Sequence, residues 1–110
     1  MAKDKVKVTR GSENVFEDLG FENADELQAE ALLAHQIYTI LKRRGLSQRA
    51  SAKLLGIAPA DVNKLMNGNY TGFSIRRLAV LLTRLGRDVE ITVKRPKRSR
   101  AQGQIQVKAA

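Results

Sequence analysis

The sequence predicts a small all-α protein, a helical bundle of about five helices, with a short C-terminal β-strand. A long stretch from Ala24 to Arg44 has apolar residues at helical spacing. Two short helical stretches that meet at Gly56 follow within Gln48 to Asn67. Asp88 to Val93 then changes to alternation, which is typical of a strand. With 110 residues, the chain has room for one domain with a modest core.

Residues 1–22 form a predicted N-terminal arm before the long helix. Lys5 to Thr9 alternates like a short strand, and Ser12 to Gly20 is expected to form a single helical turn that packs on the main domain. Asn23 can cap the long helix, and Glu26 completes a capping box. The long helix carries an apolar stripe expected to face the core: Leu33, Ala34, Ile37, Ile40 and Leu41.

The stretch from Gln48 to Asn67 is predicted to form two helices joined by a tight turn. Ser47 can cap the first helix through its hydroxyl. Gly56 can adopt the positive φ needed at the turn, and Pro59 suits the first position of the second helix. The buried positions have the offsets of the helix-turn-helix of DNA-binding proteins: Ala52, Gly56, Val62 and Leu65. We therefore predict a DNA-binding domain over residues 23–87.

Four residues of the second helix form one exposed stripe, because they are three and four positions apart: Ala60, Asn63, Lys64 and Asn67. We expect this stripe to read bases in the major groove of double-stranded DNA. Asn63 suits a bidentate pair with adenine, Lys64 a guanine edge or a phosphate, and Ala60 a methyl contact. Asp61 can either stabilise the positive end of the helix dipole or accept a hydrogen bond from a cytosine amine.

Two segments beside this stripe are candidate phosphate contacts. One is the start of the first helix: Ser47, Gln48 and Arg49. The other is the loop after the second helix: Asn69, Tyr70 and Thr71. Tyr70 suits a packing role equally well. Ser74 is then expected to cap a last helix from Ile75 to Leu85, which completes the core.

The charge distribution supports nucleic-acid binding. The net charge is +9, and ten basic residues stand against Asp61 alone within residues 31–87. Residues 11–30 hold seven acidic residues and no basic one, which fits either a solvated face or a surface for a basic protein. Residues 94–110 are a predicted flexible tail whose basic run, KRPKRSR, can add non-specific DNA affinity.

The predicted strand over residues 88–93 bears on the oligomeric state. Its apolar residues, Val89, Ile91 and Val93, alternate with polar ones. A lone strand leaves its edge unpaired, so it needs either the same strand of a second subunit or Gln104 to Val107 folding back. We favour a two-fold homodimer, which agrees with the palindromic half-sites that helix-turn-helix proteins read.

The composition argues against other classes of protein. There is no cysteine for a disulfide or a thiolate site, and His35, the sole histidine, lacks companion metal ligands. No phosphate-cradling glycine loop or nucleophile–base pair is present, so we expect no enzyme and no cofactor. No apolar run approaches the ~20 residues of a membrane span, and the charged start is no signal peptide. We expect a cytoplasmic protein.

Several stretches together resemble the bacterial Xre/Cro-type helix-turn-helix regulators: GSENVFEDLGF, GLSQRASAKLLGIAPADVNKLMNG and GFSIRRLAVLLTRLGRDVEITV. The resemblance covers most of residues 11–100 and implies a lambda-repressor-like fold. It extends to the HigA-type antitoxins, which are often encoded beside RelE/HigB-like toxins. It thus implies a nucleoid-bound, autoregulatory repressor that also neutralises a basic toxin, with residues 11–30 as the natural toxin surface. Pro59, Ala60 and Asn63 depart from the residues that relatives often carry, so the base preference does not follow from the resemblance.

Two alternatives to a sequence-specific repressor remain. The first is a protein-interaction module that neutralises a RelE/HigB-like toxin and has little DNA specificity. Such a module would bind every DNA weakly and the toxin tightly. The second is a non-specific nucleic-acid binder, favoured by the basic tail and by the weak reading residues Pro59 and Ala60. Deletion of residues 94–110 should remove most of the affinity of such a binder.

Overall fold

The computed structural model describes residues 6–7, 24–96 and 102–109. Four α-helices and two short β-strands occur in these residues, in the order β1 (Val6–Lys7), α1 (Ala24–Arg44), α2 (Gln48–Leu55), α3 (Pro59–Met66), α4 (Ile75–Arg84) and β2 (Lys108–Ala109). The predicted all-α class is confirmed. The helical turn expected after Ser12 and the Asn23 cap lie outside the described residues. Within those residues, no helix has both the length and the hydropathy that crossing a bilayer requires.

Helix α1 has the predicted bounds and is the longest element of the domain. Asp25 and Glu26 lie in its first turn and three basic residues in its last, an arrangement that the helix dipole favours. Gly45 follows it with φ of +62°, and its amide donates to the Leu41 carbonyl at 3.1 Å. The whole predicted apolar stripe is buried: Leu33, Ala34, Ile37, Ile40 and Leu41.

Helices α2 and α3 form the predicted helix-turn-helix. The Ser47 hydroxyl oxygen accepts a hydrogen bond from the Ala50 amide at 3.0 Å, which confirms the cap. Gly56 adopts φ of +71°, and its amide donates to the Ala52 carbonyl at 2.8 Å. Pro59 occupies the start of α3. The Ser47 cap, the turn glycine and the proline are signals that depend only on nearby residues, and all three occupy their predicted positions.

The hydrophobic core lies where α4 packs along α1 and the helix-turn-helix covers them. Its largest fully buried side chains come from all four helices: Ile37, Leu41, Leu55, Val62, Leu65, Leu78, Leu81 and Leu85. Burying one such side chain contributes about 1.5–3 kcal/mol. Phe73, in the loop before α4, is only 3% exposed and belongs to this core, although the sequence pattern indicated no more than a loop there.

Two arginines connect the ends of different helices. Arg44 Nη2, at the end of α1, donates to the Leu85 carbonyl after α4 at 2.8 Å. Arg84 Nη1, in the last turn of α4, donates to the Leu55 carbonyl at the end of α2 at 2.6 Å. Carbonyls at a helix end have no partner within their own helix, so each guanidinium satisfies an acceptor that would otherwise need water.

The chain after α4 differs from the sequence prediction. No strand forms over residues 88–93, and Ile91 and Val93 are 85% and 94% exposed. A strand requires a hydrogen-bonding partner, and within the described part of this single chain residues 88–93 have none. The predicted strand is therefore wrong for one chain taken alone, whereas pairing with a second subunit stays a prediction.

The described end of the chain returns to the domain. Lys108–Ala109 (β2) pairs antiparallel with Val6–Lys7 (β1), with Val6 opposite Ala109 and Lys7 opposite Lys108. Val107 packs against the core. A short strand was predicted near Val6, and it is confirmed at these two residues. The last described residues of the expected flexible tail are therefore held by this strand pairing and by the packing of Val107, whereas Ile105 is 51% exposed.

Candidate nucleic-acid interface

Helix α3 presents the predicted reading stripe on its solvent side. Val62 and Leu65 are 1% and 2% exposed and anchor the opposite side in the core. All four residues of the stripe are exposed: Ala60, Asn63, Lys64 and Asn67. Since two buried aliphatics fix the rotation of this short helix, the stripe cannot turn inward without loss of core burial.

The two asparagines of the stripe are hydrogen-bonded to each other. Asn67 Nδ2 donates to the Asn63 backbone carbonyl at 2.9 Å and to Asn63 Oδ1 at 3.1 Å. Asn67 is also the C-cap of α3, and Gly68 follows with φ of +76°. The side-chain amide of Asn63 is therefore oriented before any ligand is present. Spacing alone placed these residues on one face and did not predict this contact.

The predicted phosphate contacts at the start of α2 lie beside the start of α3. Ser47, Gln48 and Arg49 are all exposed. Gln48 Nε2 donates to the Pro59 backbone carbonyl at 3.0 Å, a bond between the first residues of the two helices. Because a side-chain amide has two donor hydrogens, Gln48 keeps one for a phosphate oxygen. The Ser47 hydroxyl likewise keeps its donor, since its oxygen accepts the cap bond.

The loop after α3 holds the other predicted phosphate contacts. Asn69 and Thr71 are exposed, and Asn69 Oδ1 accepts from the Thr71 amide at 3.3 Å. Tyr70 is half-buried and packs against the core, so its predicted packing role is confirmed. Burial raises the pKa of Tyr70, and the negative charge of Glu30 on α1 raises it further. A phosphate contact of Tyr70 stays a prediction.

Asp61 pairs with two cations at the edge of the stripe. Arg77 Nη2 on α4 lies 3.2 Å from Asp61 Oδ2, and Lys64 Nζ lies 4.0 Å from Asp61 Oδ1. The Arg77 guanidinium also lies over the Phe73 ring, 4.5 Å from its centroid. No ion pair was predicted for Asp61. The spacing of Lys64 was a visible signal, but Arg77 is 16 residues away and no local pattern indicates it.

The lone histidine lines a pocket together with Met66 at the end of α3 and with Gly68 and Tyr70 in the loop after it. His35 is exposed, and its ring stacks on Tyr38 with 6.1 Å between centroids. In the described part of the chain, no group of three His, Cys, Asp or Glu residues could hold a metal ion. The described chemistry is thus a set of amides, hydroxyls and cations around α2 and α3, which suits phosphate and base edges.

Comparison with known proteins gives two findings. The helix-turn-helix domain family HTH_37 matches residues 15–94. A solved structure assigned to the XRE family of transcriptional regulators is 42% identical in sequence and superposes with a TM-score of 0.72. The match covers 79% of this chain and 98% of that one. A search of curated protein sequences gave no match.

The two findings agree with the geometry. The family match spans all four helices, and the identity of 42% over nearly the whole of the solved chain is far above what fold similarity alone would give. The HigA grouping implied by the sequence is not among these findings and stays a prediction. The chain belongs to the XRE family of helix-turn-helix, DNA-binding transcriptional regulators.

Proposed function

We propose that this regulator is a sequence-specific repressor that binds its operator as a homodimer. The observation that carries the proposal is the exposed stripe of α3 next to the hydrogen-bonding groups at the start of α2. A helix held in this way can enter the major groove while its neighbour contacts the backbone. The protein would then act on the chromosome in the cytoplasm of a bacterial cell, without catalysis or a cofactor.

The reading residues have distinct roles in this proposal. Asn63 pairs with adenine, Lys64 reaches a guanine edge or a phosphate, and Ala60 contacts a thymine methyl. Asn67 completes the stripe. Phosphates are bound by residues from both flanking segments: Ser47, Gln48, Arg49, Asn69, Tyr70 and Thr71. The stripe determines which sequence is bound, and the flanking residues determine the register.

Dimerisation is proposed to involve residues 88–93. Ile91 and Val93 are almost fully exposed, which costs free energy unless another surface covers them. Val89, Ile91 and Val93 alternate, so pairing with the same segment of a second chain would bury one face of each strand. Two subunits related by a two-fold axis would place their α3 helices on half-sites about 34 Å apart.

The test is binding of the purified protein to its own upstream DNA and to a scrambled sequence, across a salt titration. A preference on the order of 10³ or more at physiological salt supports specific regulation. Asn63→Ala should reduce the preference itself, whereas Gln48→Ala should weaken binding to both DNAs alike. No preference, together with a steep salt dependence, would instead favour the non-specific binder.

We propose a second activity, neutralisation of a basic RelE/HigB-like toxin. The observation that favours it is negative charge: three of the seven acidic residues of the range 11–30 lie on α1, namely Asp25, Glu26 and Glu30. The resemblance to HigA-type antitoxins points the same way, and such a protein would repress its own operon. Co-expression with a RelE/HigB-like toxin encoded beside it should restore growth. Binding to the toxin without DNA preference would favour the interaction module instead.

A further inference from the structure

We infer that Asn67 is a positioning residue that sets the base preference of Asn63, and not an independent base reader. The inference rests on the proposed function and deepens it. It starts from the two hydrogen bonds that Asn67 Nδ2 donates, one to the backbone oxygen of Asn63 and one to its side-chain oxygen. The two bonds together fix which way each amide points.

The backbone bond determines the orientation of Asn67. A carbonyl oxygen only accepts, so the atom of Asn67 that lies 2.9 Å from the Asn63 carbonyl must be the nitrogen. The same nitrogen lies 3.1 Å from the Asn63 side chain. The Asn63 atom facing it must therefore be the acceptor, Oδ1. The Asn63 amide nitrogen is consequently directed away from Asn67.

The donor count separates the two asparagines. The Asn67 amide nitrogen faces two acceptors of Asn63, its backbone oxygen and its side-chain oxygen. While it keeps these bonds, Asn67 is poorly placed to form the donor-and-acceptor pair that recognises adenine. Asn63 retains both donors and one lone pair of Oδ1, which match adenine N7 and the adenine amino group.

Position along α3 agrees with this division. In helix-turn-helix proteins the N-terminal part of the recognition helix lies deepest in the groove. Asn67 is the C-cap of α3, one turn beyond Asn63. Holding the Asn63 amide in place before binding removes part of the entropy cost of ordering it on DNA. This advantage corresponds to about threefold to tenfold in affinity for the preferred base.

The experiment is selection of binding sites from a random DNA library, followed by affinities for DNAs that differ at one base pair. The protein carries Asn63→Ala, Asn67→Ala, or both. We expect both single variants to lose preference at the same base pair, Asn67→Ala by about threefold to tenfold. In the Asn63→Ala background, Asn67→Ala should change that preference no further.

Two further variants keep the result interpretable. Asn67→Asp has the same shape and lacks both donors, so it should lose the same preference even if alanine alters the helix end. Asn69→Ala is the matched control, an exposed asparagine that does not bond to Asn63 and should weaken binding to all sequences alike.

Some outcomes would overturn the inference. If Asn67→Ala loses preference at a different base pair, or if the two effects add, Asn67 reads its own base. An unchanged base preference in Asn63→Ala would also reject it. If the wild-type chain selects no sequence at all, the repressor proposal itself fails, and that result is distinct from the others.

Discussion

The glycine at the helix-turn-helix junction is constrained in two ways. Gly56 has φ of +71°, and a Cβ there would lie 2.8 Å from Arg84 Nη1, which bonds to the Leu55 carbonyl. Gly56→Ala is expected to lower the free energy of unfolding by about 1–3 kcal/mol, from backbone strain and displacement of Arg84. Chemical denaturation measures this.

Gly68→Ala provides the control for the contact with Arg84. Gly68 has φ of +76°, and a Cβ there would meet nothing within 4 Å. The stability loss of Gly68→Ala should therefore come from backbone strain alone. The difference in stability loss between Gly56→Ala and Gly68→Ala then measures the cost of the contact with Arg84. Equal losses in the two variants would show that Arg84 moves aside at no cost.

Asp61 limits the positive charge available at the edge of the reading stripe. Asp61→Asn removes its pairing with Arg77 and Lys64 and leaves both cations free to meet phosphates. Because all three side chains are partly or largely solvated, the stability loss should stay below about 1 kcal/mol. Affinity for non-operator DNA should rise, and its salt dependence should steepen by about 0.9 for each additional phosphate that the variant neutralises.

Asp88→Asn is the matched control for charge. It removes the same single negative charge from an exposed residue beyond α4. Because Asp88 begins the proposed dimerisation segment, the comparison is made on a single half-site, to which one subunit binds. If both variants raise the affinity for DNA equally, the effect is one of net charge, and the pairing of Asp61 with Arg77 has no separate role.

At the scale of elements, α1 and the loop after α3 are coupled by charge. Burial and the negative charge of Glu30 both raise the pKa of Tyr70. Glu30→Gln should lower the pKa of Tyr70, although burial should keep it above its ordinary value. Absorbance titration of the phenolate in a Tyr38→Phe background, which leaves one tyrosine, measures this. No change would mean that Glu30 and Tyr70 do not interact.

The same substitution has a consequence for stability. Burial and the charge of Glu26 raise the pKa of Glu30, so the folded state holds the proton to higher pH than the unfolded chain. Stability from this group is present below the ordinary pKa of a glutamate and is lost as pH rises through the raised value. Wild type should therefore lose stability relative to Glu30→Gln across that interval, and the difference should then stay constant until the pH at which Tyr70 ionises.

Helix boundaries followed from sequence, whereas contacts between elements did not. Helix ends are determined by residues close in sequence, such as the cap at Ser47, the turn at Gly56 and the first-turn Pro59. Accordingly, α1 and α2 have the predicted bounds. The hydrogen bond from Arg84 to Leu55 joins residues 29 apart, so only the folded chain brings them together. The burial of Phe73 likewise depends on how its loop crosses the core. In the candidate site, sequence predicted the exposed stripe, but not the bonds within it.

For the whole molecule, the expected assembly state depends on residues 88–93. The paired substitutions Ile91→Gln and Val93→Gln should weaken self-association by more than about tenfold, since each buried aliphatic contributes about 1.5–3 kcal/mol. Sedimentation velocity measures this. The thermal unfolding of the monomer should not change, because both side chains are exposed in the single chain. Binding to a palindrome should weaken, and binding to a single half-site should not.

Ile105→Gln is the control for these substitutions, because Ile105 is also an exposed aliphatic residue but lies outside residues 88–93. It should leave self-association unchanged. A wild-type chain that is monomeric at micromolar concentration would contradict the proposed dimer. A dimer that survives both glutamine substitutions would place the interface elsewhere.

Because Arg44 and Arg84 donate hydrogen bonds to helix-end carbonyls, the formal charge of this regulator overstates the number of DNA phosphates that it can neutralise. A cation releases counterions from DNA only when it lies against a phosphate. Each of these two guanidinium groups is held at a helix end by a hydrogen bond to a backbone carbonyl, so it can reach only a phosphate that passes that point. The number of ions released per bound chain should therefore be smaller than the net charge of +9 suggests. Replacing either arginine should consequently lower the melting temperature of the protein more clearly than it changes the salt dependence of DNA binding.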